Sequence, residues 1–77
     1  MKCELIIEGL KDKQQFYNCC FQSFECKRSH DGTMHALYYT KQYAHVDAID
    51  LKRHYPNVRT TIGTDFEGWF MPRLHLH

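Results

Sequence analysis

From Cys3 to Glu8 the chain alternates, with Cys3, Leu5 and Ile7 on one side of an extended segment and Glu4, Ile6 and Glu8 on the other. That period of two predicts a strand within Met1–Gly9 with one covered face. The next regular stretch has a helical period. Asp12 is placed to cap it, Gln15 follows three residues later, and Phe16 and Cys20 stack at the i, i+4 spacing, so a helix is expected over about Lys13–Ser23. Alternation returns at Phe24–Arg28, and Asp31-Gly32 is a type I′ hairpin signal leading into a returning strand over Thr33–Thr40.

The second half continues with a helical period and then alternation, without an internal repeat. Lys41–His45 reads as a connection and Val46–Tyr55 as a second helix, with Asp47 in its first turn, Lys52, Arg53 and His54 in its last, and Pro56 as its stop. Asn57–Gly63 is β-branched and alternating, and Phe66–Met71 is expected to add a short fifth strand before the tail at 72–77. The order is strand, helix, strand, strand, helix, strand. It predicts one α+β domain over residues 1–77, with its core in 1–71: a ferredoxin-like βαββαβ sandwich, an antiparallel sheet with its first and third strands central, both helices on one face, and an extra C-terminal strand. A variant in which Phe66–Met71 pairs back on the strand at Val58 is the alternative.

Composition narrows the function classes. A chain of 77 residues with 43% hydrophobic and 14% aromatic residues is built to fold, yet its small core leaves little room for an internal cavity. Net charge is +1 without a block of like charge, which opposes strong phosphate-backbone binding. No apolar run has the length of a signal-peptide core or a membrane span, so a cytoplasmic location without membrane contact is expected, and with it reduced thiols at Cys3, Cys19, Cys20 and Cys26.

Tyr38, Tyr39, Ala48, Ile49, Leu51, Tyr55, Pro56, Phe66 and Gly68 follow a pattern in which an aromatic strand leads to a helix ending in Tyr-Pro, then a strand and a Phe-x-Gly segment. In this half of the chain the sequence resembles the ferredoxin-like domains of small phage and plasmid accessory proteins. The resemblance implies a fold and a mobile-element origin, and brings no catalytic residue with it.

Candidate chemistry is sparse. Cys20, Cys26 and His30, joined by Cys19 or His35, are the residue types zinc selects, but five residues separate Cys20 from Cys26 where structural sites use closer pairs. Buried cysteine as a small hydrophobe is the simpler expectation, with no cofactor. His75 and His77 form at most an adventitious chelating pair. Glu4 and Glu8 are expected as solvated carboxylates, and no nucleophile motif or phosphate loop is present, so a non-enzymatic protein is expected. An RNA-binding sheet in the manner of the RNA-recognition motif is the rival, because Tyr38 or Tyr39 must face outward; Glu4 and Glu8 beside it argue against phosphate. What remains is recognition of another protein through Tyr38, Tyr39, Trp69, Phe70 and Met71, as in an inhibitor of a host defence complex, with a homodimer through a sheet edge also open.

Overall fold

The computed structural model describes residues 2–63, which form six elements in chain order. They are β1 (Cys3–Glu8), α1 (Lys13–Cys19), β2 (Glu25–Arg28), β3 (Met34–Tyr38), α2 (Lys41–His54) and β4 (Arg59–Gly63). The strands make one antiparallel sheet in the order β2-β3-β1-β4, so β1 and β3 are the inner pair. The expected fifth strand at Phe66–Met71 lies outside the described residues.

The alternation in β1 becomes two distinct faces. Cys3, Leu5 and Ile7 stand across from Tyr38, Ala36 and Met34, and all six are fully buried. They form one core with Phe16 and Cys19 of α1 and Ala44, Ala48 and Leu51 of α2, which places both helices over this face. On the other face Lys27, His35, Ile6 and Thr61 make one cross-strand row, and Glu25, Leu37, Glu4 and Gly63 the next. That face is less open than its sequence implies. Leu37 is fully buried, and Glu4 is 8% exposed with its Oε2 2.8 Å from the His35 Nδ1. Glu4 is therefore a largely buried group hydrogen-bonded to His35 and not the solvated carboxylate expected; Glu8 is exposed.

Both helices depart from their expected limits for tertiary and capping reasons. Asp12 caps α1 as anticipated, its Oδ1 accepting the Gln15 N–H, and the Gln15 side chain accepts the Lys11 N–H in return. The helix ends at Cys19 instead of Ser23, because Cys20 turns extended and the following Gln22 N–H is taken by a carboxylate of α2. Phe21 is consequently 74% exposed. α2 begins earlier than Val46: Thr40 is its cap, with Oγ1 accepting the Tyr43 N–H at 3.2 Å, so Lys41–His45 is helix and not connection. The basic last turn Lys52, Arg53, His54 is as expected.

The hairpin between β2 and β3 uses a different turn. Gly32 has φ +91° and donates its N–H to the Ser29 carbonyl, while Asp31 keeps a negative φ. A type I′ turn needs two positive φ angles, so this is a three-residue loop with glycine in the left-handed position. Asp31 closes it by accepting the Thr33 N–H, which holds its carboxyl below the usual range. Arg28 then ties the hairpin base to the β1–α1 loop, donating to the Leu10, Lys11 and Gly32 carbonyls.

Replacing the α2 cap tests where that helix starts. Thr40→Ala should lower unfolding free energy by about 1 kcal/mol in urea titration, whereas a helix beginning at Val46 would leave it unchanged.

Candidate functional site

Two clusters of side chains stand out, one buried and one exposed. The buried one is centred on Asp47, which is 1% exposed although it belongs to the charged class that rarely goes inside unpaired. Its position follows from helical spacing, since Ala44, Asp47, Ala48 and Leu51 form the inward stripe of α2. Asp47 Oδ2 accepts the Tyr38 hydroxyl at 2.8 Å and the Gln22 N–H at 3.0 Å. One carboxylate thus joins β3, α2 and the loop after α1.

The electrostatics of the cluster follow from its burial. Loss of water pushes the Asp47 carboxyl up, opposed by the bonds from Gln22 and Tyr38. Tyr38 is pushed above the ordinary tyrosine value by desolvation, then by the nearby Cys20 and Asp47. Cys20 is pushed up to about 12, again by burial first and by Asp47 second. Cys3 and Cys19 are also raised by burial. Burial therefore makes these three thiols harder to ionise, which works against a ready nucleophile. All four cysteines are free, and Cys26 is half-buried with its Sγ 3.6 Å from the Tyr17 hydroxyl. Cys20, Cys26 and His30 are not gathered: among the described residues no three His, Cys, Asp or Glu side chains form a metal-binding group.

The exposed cluster lies at the end of the sheet where β2 begins and β3 ends. Phe24 and Tyr39 stack with ring centroids 4.3 Å apart and an interplanar angle of 26°. The Lys2 ammonium sits 5.7 Å from the first ring and 5.9 Å from the second. Both rings keep solvent contact, Tyr39 being 55% exposed and Phe24 37%. The stack holds its own shape, because each ring fixes the other and the cation lies over both.

Of the residues expected to touch a partner, Tyr39 is on this patch. Tyr38 is not: it points into the core and its hydroxyl is committed to Asp47, so its surface role is withdrawn. The alternation of a strand explains the split, since adjacent residues must face opposite ways. Trp69, Phe70 and Met71 lie outside the described residues. Phe24 and Lys2 were not anticipated in this role. Their signal in the sequence is faint, for it requires knowing that the first residues of β2 meet the last of β3. Asp47 was legible in principle as a charge at an i+3 position between Ala44 and Leu51.

The surface also has a shallow depression of about 200 Å³ between the β1–α1 loop and the end of α2, lined by residues including Lys11, Gln15, His54 and Asn57. It brings no thiol or carboxylate to these groups. No family model, curated protein or solved structure matches the chain.

Two variants check the buried cluster. Tyr38→Phe should destabilise the fold by about 1 to 3 kcal/mol in urea unfolding, since it leaves a buried carboxylate short of a donor. Asp47 has a raised pKa in the folded state, so its titration adds stability below the unfolded carboxylate value and that stability is lost as pH rises through the folded value. Compared with Asp47→Asn, the wild-type chain should therefore gain unfolding free energy as pH falls from 7 toward the ordinary carboxylate range, measured by urea titrations at several pH values.

Proposed function

We propose that this chain is a small, non-enzymatic protein-binding module on a ferredoxin-like frame, and that its contact patch is the Phe24–Tyr39 stack with Lys2. The observation that carries this reading is an aromatic pair that is both exposed and pre-ordered: Tyr17, Phe21 and Tyr43 are exposed as well, but Phe24 and Tyr39 stack on each other beside the Lys2 ammonium. Rigid aromatics bury interface area at low entropic cost, which is why they concentrate binding energy. The ferredoxin-like assignment is supported by the βαββαβ chain order and by the inner places of β1 and β3.

Catalysis has little support. Burial makes the inner thiols harder to ionise, and the surface depression sets Lys11, His54 and Tyr55 among amides with no carboxylate in its lining to activate them. Nucleic acid is also disfavoured. On and beside the sheet face away from the helices, Lys2, Lys27 and Arg59 are matched by Glu4, Glu8 and Glu25, so the surface has no excess of positive charge to gather phosphates. Moreover the Phe24 and Tyr39 faces are turned to each other, leaving less ring surface for a base than a flat platform would. The resemblance to phage and plasmid accessory proteins supports a host protein as the partner and inhibition of a defence complex as the setting.

The test is a quantitative pull-down from bacterial lysate with the wild-type chain and Tyr39→Ala, the fold of both checked by circular dichroism. A stoichiometric protein partner should be retained by the first and bound at least about tenfold more weakly by the second. Equal retention by both, or salt-sensitive binding of single-stranded RNA without a protein partner, would overturn the reading.

A further inference from the structure

We propose that β2 is a self-pairing edge, through which two copies of this chain join antiparallel about a two-fold axis at Cys26. Among the described residues β2 is the outermost strand on its side of the sheet. Its ladder with β3 shows which main-chain groups face outward. The Ser29 N–H donates to the Thr33 carbonyl, so Ser29, Lys27 and Glu25 turn toward β3, and Cys26 and Arg28 turn away. The Phe24 N–H is drawn back to the Leu37 carbonyl, which limits the outward row to Cys26 and Arg28. Such an edge is a template for another strand unless it is covered or blocked.

Charge then selects the register. In an antiparallel pair, residues directly across from each other project to the same face, so a two-fold axis must pass through a residue if the sheet is to continue. An axis at Glu25 sets two carboxylates against each other, one at Lys27 sets two ammonium groups together, and one at Arg28, whose main chain also faces outward, sets two arginines across from each other. An axis at Cys26 sets Glu25 of each copy across from Lys27 of the other, twice. The same axis lets the outward N–H and carbonyl of Cys26 bond reciprocally with their equivalents. Hydrogen bonding and charge thus choose one register. Phe24 would fall across from Arg28 of the second copy, whose guanidinium stays bonded to its own Leu10, Lys11 and Gly32 carbonyls and adds no charge contact to the pairing.

Glu25 and Lys27 are both exposed, and each already interacts within its own chain, so a second copy competes with existing partners and the pairing is concentration-dependent. A four-residue edge buries little area, which fits a weak, reversible dimer. The pairing meets the partner-binding patch at Phe24, but it rests on Cys26 and the Glu25–Lys27 pairs, so charge reversal at those two residues tests it separately from Tyr39→Ala.

Charge reversal with analytical ultracentrifugation over a wide concentration range decides the matter. The wild-type chain of 9.3 kDa should approach twice that mass as concentration rises. Glu25→Lys alone and Lys27→Glu alone should each weaken the dimer at least about tenfold, because each sets like charges across the axis twice. Mixing the two variants should restore a heterodimer of near wild-type strength, since every cross-axis pair is again opposite, and this also shows that neither variant is simply misfolded. A wild-type chain that stays monomeric throughout, single reversals that leave the dimer unchanged, or a mixture that fails to restore it would each overturn the proposal.

Discussion

The carboxylate of Asp47 is the constraint on which the rest of this small domain is arranged. A charge on the inward stripe of a helix costs several kcal/mol unless its lone pairs are met by donors. Here the donors come from two other parts of the chain, the Tyr38 hydroxyl at the end of β3 and the Gln22 backbone after α1. The charge is tolerable only when all three segments are in place together. Hydrophobic packing of Leu5, Ile7, Phe16, Met34 and Leu51 drives collapse without choosing among similar arrangements, whereas a directional bond to a buried oxygen favours one.

That tie has consequences at both ends of α1. Because Gln22 is held by α2, α1 cannot continue past Cys19, and Phe21 is turned into solvent. Because Tyr38 must reach Asp47, its neighbour Tyr39 is directed away from the core, where it meets Phe24 and Lys2. The exposed aromatic pair is in this sense a product of the buried carboxylate. The internal bond fixes the phase of the strand, and the phase decides which tyrosine a partner can touch.

The sheet face away from the helices has its own logic. It holds both signs of charge in cross-strand rows, with Glu4 and His35 in diagonal contact and Glu8 directly across from Arg59. A near-neutral, internally matched surface favours specific pairing by position over general attraction by field. The same matching at the β2 edge gives Glu25 and Lys27 opposite signs on either side of Cys26.

The alternation in Cys3–Glu8 was enough to identify β1 and its core-facing residues Cys3, Leu5 and Ile7, because a period of two has only one assignment of faces once one side is apolar. Asp12 and Gln15 likewise disclosed the start of α1, since a cap is a local bond between residues three apart. The basic turn and Pro56 marked the end of α2 for a similar reason. The end of α1, the start of α2, the burial of Glu4 and the opposite fates of Tyr38 and Tyr39 were settled only by the fold. Each depends on a partner far away in the chain: Asp47 for Gln22 and Tyr38, His35 for Glu4, Phe24 for Tyr39. Local sequence sets periods and caps through neighbouring atoms; which polar group is buried, and which ring is exposed, is fixed by donors and rings that only tertiary packing brings within reach.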